Sequence, residues 1–226
     1  MNILCIETSA GNGSLAVQRD EQIFTACIAT PRAQAEQLIP LIDDLLSQAG
    51  ITLRQLDAIG FGRGPGSFIG VRLATCVAQG LGAAAGIGLA PVSSMAALAR
   101  QLSAQPDTEQ RVVVCLDARM NEVYWGEFLG APGRLVATAP ERLIAPQDVQ
   151  WPAGRGWIAA GSGFANYVEL RAAAAGRGYA IEPEARPAAR DVLPLARAAV
   201  HDGRLVAAEH WEGRYLRDET AWKTKE

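Results

Sequence analysis

The first hundred residues alternate between short apolar runs and longer segments with helical spacing. Ile3–Glu7, Ser14–Gln18 and Gln22–Ile28 are strand-length runs, separated by the loop Thr8–Gly13 and the polar turn Asp20–Glu21. They predict a three-stranded meander. Helical spacing takes over at Ala33–Ala49, where Leu38, Leu41, Ile42, Leu45 and Leu46 share one side and Gly50 supplies a stop. Pro40 has no N–H to donate, which predicts a kink near Glu36. Asp57–Gly62 is a further strand that runs into Arg63-Gly-Pro-Gly-Ser67, and Ser67 predicts an N-cap for a helix over Phe68–Ala85. A strand at Ile87–Val92 and a helix from Ser93 or Ser94 to about Leu102 follow. This order predicts a mixed sheet with helices packed on it.

Ser103–Gln110 is polar, contains Pro106 and is the linker candidate. Beyond it the pattern restarts with a hairpin, Arg111–Ala118 and Glu122–Leu129, turning at Met120–Asn121. A strand at Gly156–Ala160, a helix over Phe164–Ala175 and a last helix over about Pro187–His201 complete the set. The second half echoes the first in shortened form. The expected architecture is therefore α/β with two related lobes, residues 1–104 and a reduced lobe at 105–226.

Composition narrows the chemistry. The 226 residues are 49% hydrophobic and 20% charged, with a net charge of −3, as in an ordinary globular protein. No basic block exists, so a protein that grips phosphate backbones unaided is excluded. Cys5, Cys27, Cys76 and Cys115 each lie in an apolar run without C-x-x-C pairing, which predicts buried, reduced thiols. The only histidines, His201 and His210, suit no common metal-ligand spacing, so no metal site is expected. The N-terminal stretch has no basic n-region and is interrupted by Glu7. Leu73–Ala99 carries no charge, yet Gln79, its glycines and Pro91 make it a run of core elements rather than a membrane span. A cytoplasmic protein is expected.

Glu7, with its small polar loop on a duplicated strand-rich lobe, is similar to the actin, hexokinase and Hsp70 superfamily, with its ribonuclease H-like lobes. GRGPGSFIGVR at 62–72, LDARMNEVYWGEF at 116–128, AQGLG at 78–82 and RYLRDETAWK at 214–223 together resemble the bacterial TsaB (YeaZ) family. The resemblance implies a role in making N6-threonylcarbamoyladenosine in tRNA. It implies a non-catalytic subunit, paired as a heterodimer with the catalytic paralogue TsaD and joined by the ATPase TsaE. It also implies tRNA contact only through that complex, and a homodimer when the chain is alone. No intrinsic cofactor is expected, although the junction with TsaD is a place for a nucleotide.

Candidate chemistry is sparse. The H-x-x-x-H metal pair of the catalytic paralogue has no counterpart in Arg32–Leu38, where Gln34 replaces the histidine that many relatives keep. Glu7, Thr8 and Ser9 stand where the superfamily places its first phosphate loop, and Asp117 stands in the second, but a plain hairpin loop at Thr8–Gly13 is the favoured reading. Asp117 is followed by Ala118, Arg119 and Met120 rather than the glycine that close phosphate approach needs. Ser67 is either a helix cap or an anion contact, and Pro65 rules out a G-x-S-x-G elbow. Ile69 stands where relatives usually have threonine. The rival readings are an autonomous ATP-dependent kinase or ATPase on the same fold and, more remotely, a protease acting on its partner.

With so little chemistry, a partner surface becomes the expected feature. Small residues recur every four positions in the second helix, at Gly70, Ala74, Ala78 and Gly82, with Val71 and Thr75 alongside. Leu38, Leu41, Ile42 and Leu45 make the first helix broadly apolar. The resemblance implies that these two helices pair with their equivalents on the paralogue. Packing against the protein's own sheet accounts for part of both stripes. On the partner reading, Val71→Arg or Ala78→Arg should block pairing and leave the monomer folded. In the tail, Tyr215, Arg217, Trp222 and Lys223 are docking candidates.

Overall fold

A computed structural model describes residues 1–102, 109–131, 135–213 and 216–217. The contacts divide the chain into two units, Met1–Gln101 with Arg186–Gly213, and Leu102–Ala185 with Arg214–Glu226. Most of the linker candidate, and Tyr215, Trp222 and Lys223 of the tail, lie outside the described residues.

The first unit opens with the expected meander, β1 (Asn2–Ala10), β2 (Asn12–Arg19) and β3 (Gln22–Ile28), all antiparallel. After α1 (Pro31–Ala49) come β4 (Ala58–Gly62), α2 (Phe68–Ala85), β5 (Leu89–Val92) and α3 (Ser94–Gln101). β4 lies parallel to β1 and β5 parallel to β4, giving the order β3-β2-β1-β4-β5. α1 starts at the Thr30 cap, runs through Pro40 and ends on the left-handed Gly50, whose φ is 64°. Alternation along β1 sends Leu4 and Ile6 to a core with Leu38, Leu45, Ala74 and Ala78. Ile3 and Cys5 go to the opposite face.

That opposite face explains a correction to the expected boundary at 104/105. The last helix does not fold with the second lobe. α1 and α2 share one face of the sheet, so Ile3, Cys5, Ala16, Ala90 and Val92 would stay wet on the other. The residues that cover them are Ala189, Val192, Leu193, Ala196 and Ala199, of the helix Ala189–His201. Sequence order suggested otherwise, but burying this face outweighs chain proximity.

The second unit is built on β6 (Gln110–Arg119) and β7 (Glu122–Gly130), flanked by β8 (Val136–Ala137) and β9 (Arg142–Ile144). β10 (Trp157–Ala160) lies parallel to β6, and β11 (Ala180–Glu182) parallel to β10. Read as β8-β7-β6-β10-β11, the sheet repeats the first unit's strand directions: two antiparallel pairings, then two parallel ones. The short β8, β9 and β11 escaped the sequence pattern. The helix expected over Phe164–Ala175 is two, α4 (Ser162–Asn166) and α5 (Val168–Gly176), broken at Tyr167. The helix Ala189–His201 is α6. Trp125, Trp151, Phe164 and Tyr179 supply an aromatic core through edge-on contacts such as Trp125 to Trp151 at 5.3 Å.

Two of the four cysteines depart from expectation. Cys5 and Cys115 are buried, and desolvation pushes both thiols far above the ordinary range, whereas Cys27 and Cys76 are exposed.

Candidate functional site

Glu7, Thr8 and Ser9 occupy the end of β1, where pairing with β2 becomes irregular between Glu7 and Ala10. All three are buried: Glu7 and Thr8 are 0% exposed and Ser9 3%. The Glu7 carboxylate accepts hydrogen bonds from Ser9 N at 2.7 Å and from Ser94 Oγ, at the start of α3, at 2.8 Å. Burial raises its pKa, with the Ser9 and Ser94 hydrogen bonds acting in the opposite direction. A Cβ on Gly62 would collide with this carboxylate, so only glycine lets β4 pass. The Gly62–Ser67 loop, which contains a cis Gly64–Pro65 peptide, folds over the same strand end. Ser67 N donates to Ser9 O at 2.7 Å, and the Thr8 hydroxyl donates to Gly70 O at 2.6 Å. Of the side chains proposed for a phosphate loop, the Glu7 carboxylate and the Thr8 hydroxyl are therefore spent on internal hydrogen bonds, while Ser9 Oγ is buried with no hydrogen-bond partner. A carboxylate with no exposed surface presents nothing to a metal-bound water.

Ser67 is exposed and caps α2, accepting a hydrogen bond from Gly70 N at 3.4 Å. Gln34 is 3% exposed and donates from Nε2 to Gly11 O at 3.0 Å, tying α1 to the β1–β2 turn. Among the described residues, no group of three or more His, Cys, Asp or Glu side chains is placed to hold a metal ion.

Asp117, near the end of β6, is likewise enclosed by its own unit, with a side chain 8% exposed. Its oxygens accept from Arg119 N at 2.8 Å, Asn166 Nδ2 at 2.8 Å and Tyr167 OH at 3.2 Å. Ser162 Oγ accepts from Asp117 N at 3.0 Å. Tyr167, the residue that breaks the expected helix, is held by this bond, and its pKa is raised, first by desolvation and then by Asp117. Where a phosphate-binding lobe would carry glycine, Arg119, Met120 and Asn121 all adopt left-handed backbone, with φ of 62°, 55° and 57°. Arg217 braces that turn, pairing with Glu122 at 2.6 Å and donating to Ala118 O at 3.0 Å.

The expected partner stripes lie inside the first unit. Leu38, Ile42, Leu45, Val71, Ala74, Thr75, Ala78 and Gly82 are buried, and only Leu41 is partly exposed. The correction has a simple cause. In a small-residue stripe the short side chains let α2 lie close on β1 and β4, and a Cβ on Gly70 would fall on the Thr8 carbonyl of β1. Val71→Arg or Ala78→Arg would place a charge in that core.

The surface that sequence reasoning missed is the outer face of α2. Ile69, Leu73, Cys76, Gly80 and Ala83 follow one another at helical spacing along it, exposed except for the partly exposed Leu73. Ile69 is 76% exposed, and Phe68 and Ile39 add 47% and 50%. Arg72, the helix's one charged residue, lays its guanidinium over the Phe68 ring at 3.8 Å. Among the described residues α2 is also the one helix long and apolar enough, by length and composition, to cross a membrane, yet only 33% of it is buried. The available signal was that Arg72 is the only charge in this 18-residue helix.

The family profile described as TsaD, tRNA N6-adenosine threonylcarbamoyltransferase, matches residues 28–180. The Escherichia coli tRNA threonylcarbamoyladenosine biosynthesis protein TsaB is 33% identical, across 99% of this chain and 97% of the relative. Among solved structures, YeaZ from Pseudomonas aeruginosa superimposes with a TM-score of 0.83 at 35% identity, covering 93% of this chain and 98% of that one. An activator of 2-hydroxyisocaproyl-CoA dehydratase from Clostridium difficile shares the fold alone, with a TM-score of 0.51 at 9% identity over 90% of this chain and 96% of that one. The two mixed sheets with flanking helices form an actin-like ATPase fold.

Proposed function

The chain belongs to the TsaB (YeaZ) family of tRNA threonylcarbamoyladenosine biosynthesis proteins, and from that premise we propose that it serves as a non-catalytic subunit. It takes part in the biosynthesis of this modified tRNA nucleoside. Its task is to bind the catalytic paralogue TsaD, hold it in a working conformation and offer part of the platform for the ATPase TsaE. The observation that carries this reading is the pairing of enclosed chemistry with an open apolar helix face. Glu7, Thr8 and Asp117 are engaged within their own units, while Ile69, Cys76 and Ala83 stand in solvent on α2.

Exposed apolar residues at helical spacing suit a facing helix, and a related lobe offers a similar helix. The same face pairs two copies when the paralogue is missing. The net charge of −3 leaves tRNA contact to the assembled complex, in the cytoplasm where tRNA is modified.

Reconstitution with purified components tests the reading. Omitting this chain should abolish modification, and a Glu7→Gln, Asp117→Asn double variant that still folds should restore it. Mg-ATP turnover by the isolated chain, lost in that double variant, would instead favour the kinase or ATPase reading.

A further inference from the structure

Resting on this partner-subunit reading, we infer that Thr8 and the strand end around it, where the superfamily's first phosphate loop would lie, act as a socket that fixes α2 in the orientation its partner meets. Thr8 is thus a positioning residue. The buried side of α2 is built mostly from small residues, Gly70, Ala74, Ala78 and Gly82, with Val71 and Thr75 beside them, so its fit to the sheet is close but made chiefly of non-directional contacts. Side chains reach about 5–6 Å from that axis, so a rotation of roughly 20° moves the outer face by about 2 Å.

Directional contacts at the two ends oppose such a rotation. At the N-terminal end, the Thr8 hydroxyl donates to Gly70 O, Ser67 N donates to Ser9 O, and a Cβ on Gly70 would fall on the Thr8 carbonyl. At the C-terminal half, Gln79 Nε2 donates to Ala208 O at 2.9 Å and Trp211 O at 3.1 Å. The Thr8 bond falls in the first turn, which carries Phe68 and Ile69 at the most exposed end of the apolar face. Glu7 holds the strand beneath by its bond to Ser94, and therefore to α3. Residues that would face phosphate in a nucleotide-binding relative here set the direction of a protein-binding helix.

The experiment is a titration of the cognate TsaD with Thr8→Val and Thr8→Ser variants, with Ile69→Arg in parallel. Valine keeps the shape and removes the donor; serine restores it. Thr8→Val should weaken TsaD binding by at least about tenfold with its thermal transition still cooperative, and Thr8→Ser should recover affinity to within about threefold of wild type. Wild-type affinity in Thr8→Val overturns the socket, provided that Ile69→Arg has lost binding. If Ile69→Arg also binds normally, the partner face itself is refuted and the socket falls with it. If Thr8→Val fails to fold, amide exchange on the wild-type chain decides. The Val71–Ala74 amides should exchange as slowly as those of β1, and exchange at the rate of a fraying end overturns the socket.

Discussion

Ile69→Arg separates a partner face from a patch of bare apolar surface. Ile69 is 76% exposed, so the isolated chain should hardly register the change. Substitutions at such positions stay within about 0.5 kcal/mol, which moves Tm by roughly 1–2 °C in a chain of this size. In a helix-to-helix contact the same side chain leaves water. Full burial of isoleucine contributes roughly 1.5–3 kcal/mol, and scaling by the 76% still exposed leaves about 1–2 kcal/mol. An arginine wedged against apolar neighbours without a counter-charge adds at least about 1 kcal/mol of desolvation cost. The total, roughly 2–3 kcal/mol, corresponds to an affinity for TsaD about 30- to 150-fold weaker. Calorimetric titration measures it, and a circular dichroism melt on the same sample verifies the fold. Binding within threefold of wild type, with Tm unchanged, would refute the placement of the interface on this face. Val71→Arg cannot serve the purpose, because Val71 is 5% exposed and the charge would enter the core.

Two further outcomes test the placement of Glu7 and of α6. The folded-state pKa of Glu7 is raised, so its contribution to stability is fully present below the unfolded value near 4.5 and is lost as pH rises through the folded one. Glu7→Gln escapes that loss, and its Tm should gain on wild type as pH climbs from about 4 toward 8; parallel curves would contradict the buried-carboxylate account. Leu193 is 1% exposed beneath α6, and Leu193→Ala should cost about 2–5 kcal/mol, lowering Tm by at least about 5 °C. A shift below 2 °C would mean that α6 does not seal the first unit's sheet.

The positions of most elements were legible in the sequence because they rest on local causes. Strand-length apolar runs bounded by turn residues gave β1 to β5, the Ser67 cap fixed the start of α2, and Gly50 ended α1. The echo between the halves correctly gave two related mixed sheets, since each hairpin-then-crossover pattern is a near-neighbour property of the chain. β8, β9 and β11, at two or three residues each, are too short to show a period. The break at Tyr167 is set by Asp117, fifty positions earlier.

What only the tertiary structure decided was facing. Apart from Arg72, α2 carries no charge, so its sequence offers two candidate stripes and little local reason to prefer either as the outer one. Small residues suit a close approach to any surface; the sheet claimed Gly70, Ala74, Ala78 and Gly82, which left Ile69, Cys76 and Ala83 outside. The fate of Glu7 is similar. A carboxylate beside a small polar loop fits a phosphate site until Ser94, Gly62 and the α2 cap close over it, and these come from parts of the chain 55 to 87 residues away. Residue type fixes which interactions a group can make, but long-range packing selects which of them forms, because desolvating a buried polar group is tolerable only where the fold brings its partners to it.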